Sequence, residues 1–291
     1  MVKLLKWVGI LAGLLVIAVG GLLTWAHFNV EKDRNRVFAE KVSGMDSLVA
    51  VADVALGERI VNVRNGCIDC HATDLAGRTF LSDPAMGSYH SANLTPYGLK
   101  EWTNDEIANA IHFGIGRDGK PLQFMPALEF NALSKQDLAS VIAYLRQLPE
   151  VERDRQPITI GPLAKVLYSF DQIPALLSTY YLDLNKDFST KPVEAPTKEF
   201  GSYLANSACI GCHNPQFSGG PIQGAPPEWA AAADIRFGTK GDWTEEKFMQ
   251  CMLSGVSPTT GETMKFPMPV NIVKNMNETE LKALWAYLST L

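Results

Sequence analysis

The chain has 291 residues, 46% of them hydrophobic, and a net charge of −5, which suits two compact domains and excludes the basic surface of a nucleic-acid binder. Its five cysteines do not make a disulfide scaffold, because four of them fall in two identical C-x-x-C-H knots.

The first predicted element is apolar. Residues 7–25, WVGILAGLLVIAVGGLLTW, carry no charge. At about 1.5 Å per residue such a helix just crosses a hydrocarbon core of about 30 Å. Lys3 and Lys6 precede it, so the N-terminus is expected in the cytoplasm and everything after residue 26 outside it. Trp7 and Trp25 stand at the two ends, where indole rings favour the interface. A cleaved secretory signal would be shorter and would end in a small-x-small site, which LTWAHF does not supply. Residues 1–26 are therefore read as a retained single-pass anchor in the lipid bilayer, and 27–50 as a juxtamembrane segment.

The rest of the chain repeats itself. EWTNDEIANAIHFGI, FMPALEF and LSKQDLASVIAYLRQL are followed, later on, by DWTEEKFMQCMLSGV, FPMPVNI and MNETELKALWAYLSTL. Two domains follow, 51–150 and 196–291, both mainly helical. Thr103 with Glu106, Ser134 with Asp137, and Asn277 with Glu280 are capping signals that start helices. Leu138, Val141, Ile142 and Leu145 form one apolar face, as do Leu281, Leu284, Trp285 and Leu288. Gly57 and Gly201 lie in the helices leading to each knot, where a missing side chain would let the closing helix cross closely. Strand signals are few. Residues 151–195 form a partly helical linker, interrupted by Pro174 and ending in the polar STKPVEAPT. Its apolar content argues against a loose tether and suggests that it packs across both domains, the alternatives being a partner-binding or membrane-skimming role.

The knots carry the chemistry. In C-x-x-C-H, two thiols on one helical turn can reach the two vinyl groups at one edge of a porphyrin, and the following histidine can ligate the iron. Cys67, Cys70, Cys209 and Cys212 are thus candidates for covalent attachment of two haem c groups, with His71 and His213 as axial ligands. A shared zinc site would need ligands far apart in sequence, and a thioredoxin-like pair would need a βαβ setting. The repeat also offers a sixth ligand in each domain, because Met125 and Met268 occupy equivalent positions, each before a proline. A thioether there raises the reduction potential. Met264 competes in the second domain but breaks the matched spacing. His90 reads as a solvated loop residue, His112 as structural, Cys251 as small core filler, and Trp102 and Trp243 as packing groups.

These motifs, with NLTP at 93–96, WT before a helix and AYL near each domain end, resemble those of membrane-anchored dihaem cytochromes c, the cytochrome subunits of bacterial periplasmic dehydrogenases. The second domain departs from the pattern, with ADIR at 233–236 in place of NLTP. The resemblance implies an all-α chain: one N-terminal transmembrane helix, then two tandem cytochrome c domains with His/Met ligation. It implies an electron carrier rather than an enzyme, in the inner membrane with its haem domains periplasmic. Expected partners are a respiratory, photosynthetic or dehydrogenase complex, with soluble or membrane donors and acceptors. The alternatives are a dihaem enzyme of peroxidase or thiosulfate-oxidising type, with one haem ligated by a group such as Cys251 or His90, and a mainly structural subunit.

Overall fold

The computed structural model describes residues 2–226 and 228–291. Helix α1 (Val2–Arg34) buries only Ala26 and Val30, so its apolar run is bare of protein. The helix continues well past Trp25. Short α2 (Met45–Val49) then packs on the first domain, and Val42 and Met45 enter that domain's core. The juxtamembrane segment is therefore part helix extension and part domain.

In the first domain α3 (Val54–Arg59) is capped by Asp53, whose side chain accepts the Leu56 N–H. It runs through a π-helical turn at Ile60–Arg64 into α4 (Cys67–His71). Strands β1 (Thr79–Asp83) and β2 (Gly87–His90), and helices α5 (Pro96–Leu99), α6 (Asn104–Phe113), α7 (Ala127–Phe130) and α8 (Lys135–Arg146), complete it. The linker supplies β3 (Thr159–Ile160), α9 (Pro162–Ser169) and a 3₁₀ stretch at Pro174–Tyr181. The second domain has α10 (Lys198–Ala208), α11 (Ile210–His213), α12 (Glu245–Ser254), α13 (Val270–Val273) and α14 (Glu278–Leu288). The fold is mainly helical. Its small antiparallel sheet, ordered β1-β2-β3, joins a hairpin to a two-residue strand of the linker. Strands this short leave no alternating pattern in the sequence.

The closing helices cross the leading helices at the two glycines. A Cβ on Gly57 would collide with the Ser140 carbonyl and lie 2.9 Å from Tyr144 Cβ. A Cβ on Gly201 would collide with the Ala283 carbonyl and lie 2.9 Å from Tyr287 Cβ. Only glycine permits that approach. Thr103 and Asn277 form full capping boxes with Glu106 and Glu280. Ser134 accepts the Asp137 N–H, but the shorter Asp137 side chain goes elsewhere: its Oδ2 accepts from Tyr203 Oη at 2.6 Å.

That bond is half of a reciprocal clasp between the domains. Asp137 and Glu280 hold the same place in α8 and α14, and each reaches the leading helix of the other domain. Asp137 meets Tyr203 of α10 and pairs with Lys191 at 2.8 Å. Glu280, fully buried, accepts from Arg59 Nε and Arg64 Nε, each at 2.6 Å. Burial alone would raise the Glu280 carboxyl, but the hydrogen bonds from Arg59 and Arg64 outweigh it and hold the group below its usual range. A third apolar cluster joins Val30 of α1 and Tyr89 of β2 to the linker residues Ala164, Tyr168 and Leu176. The linker also touches the second domain, where Gln223 Nε2 donates to the Asp171 carbonyl at 2.7 Å.

Candidate haem-attachment sites

Each knot is one short helical turn at the end of a leading helix. The residue after each histidine leaves that turn with positive φ, 67° at Ala72 and 58° at Asn214. The chain then loops back, so that the His71 carbonyl accepts the Gly77 N–H at 2.9 Å and the His213 carbonyl accepts the Gly219 N–H at 3.1 Å. The same turn is thus built twice from different residues.

The imidazoles are set alike. Both are buried. His71 Nδ1 lies 2.8 Å from the Ala92 carbonyl, and His213 Nδ1 lies 2.7 Å from the Ala233 carbonyl. A carbonyl can only accept, so each Nδ1 carries the proton and each Nε2 keeps its lone pair. Burial lowers the basicity of both rings and keeps them neutral. A neutral imidazole with an orienting bond on Nδ1 is what a metal ligand requires.

Ala92, directly before NLTP, and Ala233, the first residue of ADIR, supply those carbonyls at the start of the same turn. Asn93 Oδ1 accepts the Thr95 N–H at 2.9 Å, and Asp234 Oδ1 accepts the Arg236 N–H at 2.9 Å. Asn93 further ties the loop to Val151 and Arg153. Asp234 instead pairs with Arg236 at 2.6 Å, and this hydrogen bond lowers its carboxyl.

The methionine loops also match. Pro126 (φ −79°, ψ 56°) and Pro269 (φ −81°, ψ 64°) adopt one conformation. The Met125 carbonyl accepts from Ala127 at 2.8 Å and the Met268 carbonyl from Val270 at 2.9 Å. Met264 sits elsewhere in the repeat. Its N–H donates to Gly255 at 2.7 Å, as Leu122 donates to Gly114 at 2.7 Å, so its counterpart is Leu122.

Burial pushes the Cys67 and Cys209 thiols up to about 12. Such groups resist forming the thiolate that a redox pair needs. His90 has both nitrogens engaged, Nδ1 with Thr79 Oγ1 at 2.7 Å and Nε2 with Ser88 Oγ at 3.0 Å. His112 is buried and stacks on Phe188 with centroids 4.1 Å apart, and burial lowers it to about 4. Cys251 is buried on α12. Trp102 packs at the edge of the first core, and Trp243 lies 4.8 Å from Phe237 in the second.

The structure adds groups that the sequence did not single out. Asn65, two residues before Cys67, donates through Nδ2 to the carbonyl of Ser207, two residues before Cys209, at 2.7 Å. The knots therefore begin back to back at the domain interface. Glu129 on α7 fills the space that a Cβ on Gly211 would occupy. It lies near Cys70, Cys209 and Cys212 together, and desolvation raises its carboxyl to about 8, so it is uncharged at neutral pH. The only sequence signal was its place in the methionine loop, where the second domain has Ile272. Ile272 in turn meets Gly66, at 3.2 Å from where a Cβ would stand.

Two tethering thiols beside a buried, Nδ1-anchored histidine fit a c-type haem at each knot. Comparison with known proteins agrees. The cytochrome c family model matches residues 54–149 and 199–291. The chain belongs to the cytochrome c family. Such domains carry covalently bound haem c. The chain is 28% identical to the cytochrome c subunits of the quinone alcohol dehydrogenases of Gluconacetobacter polyoxogenes and Komagataeibacter europaeus, over 65% of this chain and 45% of each of those proteins. It is 24% identical to a nicotinate dehydrogenase subunit of Pseudomonas putida, over 98% of this chain and 25% of that protein. The chain thus spans less than half the length of each of these relatives.

Proposed function

We propose that this cytochrome holds two haems and passes electrons from a dehydrogenase to acceptors of the periplasmic side, while α1 keeps it in the inner membrane. Cys67 and Cys70 would tether one haem, with His71 and Met125 as axial ligands. Cys209 and Cys212 would tether the other, with His213 and Met268. Bound haem supplies the one-electron ferric/ferrous couple. The chain's contribution is position and polarity. Ala92 and Ala233 fix the imidazole tautomer, the matched Met-Pro turns place a thioether in each domain, and two apolar cores exclude water. The matched turns at Met125 and Met268 support two six-coordinate sites, and His90 has no ring nitrogen left for iron.

The observation that carries the reading is the Asn65–Ser207 hydrogen bond. It joins the starts of the two knots, so two haems would share one interface and make a short path for electrons. The alcohol and nicotinate dehydrogenase relatives are named for different substrates and both resemble this chain, so substrate choice would lie in the partner chain. Partner contacts of this kind are small and transient. Anchoring raises their effective concentration.

The test is purification from membranes in mild detergent. A dehydrogenase chain should copurify, its substrate should reduce the cytochrome, and carbon monoxide should leave the reduced spectrum unchanged. A cytochrome isolated alone that binds carbon monoxide readily would instead favour the dihaem-enzyme reading.

A further inference from the structure

The outer end of α1 is clasped by the linker. Asn29 Nδ2 donates to Ser169 Oγ at 3.1 Å, and Tyr168 Oη donates to Asp33 Oδ2 at 3.0 Å. Tyr180 Oη donates to the Asp33 carbonyl at 2.9 Å, and Lys165 Nζ lies 3.7 Å from Glu31. Ala26 and Val30 are buried in this contact, so α1 and α9 form one packed unit.

The turn after α9 runs toward the apolar part of α1. There Phe170 lies edge-on to Trp25, with ring centroids 5.6 Å apart. Trp25 closes the uncharged run. From Trp7 to Trp25 the helix rises about 27 Å, at about 1.5 Å per residue. That is close to the hydrocarbon thickness of about 30 Å, so a spanning α1 puts Trp25 at the outer boundary. The ring contact holds Phe170 at the same depth. Phe170 is 54% exposed, Trp25 48% and Phe28 67%. Trp25 and Phe170 therefore stand bare at one level, with Phe28 about 4.5 Å further out along the helix.

We propose that the Phe170 turn is a second foothold in the lipid bilayer, with Phe170 seated beside Trp25 and Phe28 at the boundary between hydrocarbon and headgroups. Indole rings are favoured at that depth, and phenylalanine is used on the lipid-facing side of interfacial segments. The inference rests on the anchoring proposed above and adds a consequence to it. The haem domains are held at a set height and tilt instead of swinging on a single helix. The turn is braced for this role. Asp171 accepts from Tyr181 Oη at 2.7 Å through its carboxylate and from Gln223 Nε2 at 2.7 Å through its carbonyl. Seating Phe170 then costs little extra ordering.

Photo-crosslinking in the full chain tests it. Phe170→p-benzoylphenylalanine keeps an aromatic ring at the site. The same group replaces Trp25 in a second variant and Val51, which is 83% exposed on the first domain, in a third. Each variant is reconstituted in vesicles of phosphatidylethanolamine and phosphatidylglycerol and irradiated. Lipid adducts are expected at positions 25 and 170 and not at 51. Adducts at 25 without adducts at 170 would overturn the foothold and leave the anchor standing. Crosslinks from 170 in native membranes that join another protein chain in place of lipid would also overturn it. Absence of adducts at both 25 and 170 would defeat the anchoring reading, and this inference with it.

Discussion

Replacing Glu280 by alanine should break the clasp between the domains. Its side chain has no exposed surface, and four N–H groups converge on it: Arg59 Nε at 2.6 Å, Arg59 Nη2, Arg64 Nε at 2.6 Å and the Asn277 backbone at 2.9 Å. Arg59 is 28% exposed and can turn to water. Arg64 is 3% exposed and cannot: it keeps Glu194, which accepts from Nη1 at 3.1 Å and from Nη2 at 2.6 Å, but its Nε loses its acceptor. Removing one partner of a buried ion pair typically costs about 3–5 kcal/mol, mostly from the charge left behind. Loss of the helix cap adds up to about 1 kcal/mol. We expect Glu280→Ala to lower the unfolding free energy of the holoprotein by about 3 kcal/mol, the low end of that range because Glu194 still pairs with Arg64, in guanidinium titrations followed by circular dichroism. The double variant Arg64→Met/Glu280→Met should recover part of that loss, because it removes the buried cation whose Nε has no acceptor and leaves Glu194, 37% exposed, to water. The pH dependence has a definite sign. A carboxyl held below its ordinary value of 4.5 stabilises fully above that value and loses its contribution as pH falls through the lower folded one. Parent and Glu280→Ala should therefore converge in acid. A loss under about 1 kcal/mol at neutral pH, or no recovery in the double variant, would refute the argument.

Other outcomes follow from single contacts. Gly57→Ala and Gly201→Ala should each destabilise by about 3 kcal/mol in thermal unfolding, because the added carbon meets a backbone carbonyl that cannot turn aside. Gly241→Ala, with nothing within 4 Å of the new carbon, should be close to neutral. Glu129 is raised from 4.5 to about 8, so its contribution to stability is present below pH 4.5 and lost as pH rises toward 8. Glu129→Gln should flatten the fall of the guanidinium midpoint between pH 5 and 8, and equal slopes in parent and variant would contradict the burial argument. Met268→Ala should make the reduced second domain bind carbon monoxide, and Met264→Ala should not. The reverse would assign the thioether to Met264.

The repeat made much of this architecture legible. Matched spacings paired Met125 with Met268, and the crossing of aromatic closing helices over Gly57 and Gly201 could be inferred from residue types alone. Capping was partly legible. Glu280 reads as a local cap, and its second role, neutralising two arginines from the other domain, depends on contacts more than 200 positions away in sequence. The Ala92 and Ala233 carbonyls that orient the histidines are backbone groups and carry no side-chain signature. Neither Glu129 nor the Asn65–Ser207 bond could be found without knowing that the two knots meet. The sheet escaped because two residues of the linker complete it, too few for any period to register.

The central claim is that both knots hold haem. Trypsin should release residues 65–78 with the first knot and 199–236 with the second. Mass spectrometry of the chain purified from its own membranes is expected to find each peptide heavier by one haem, bound through thioethers. Either peptide recovered at its bare mass with free thiols would contradict the account.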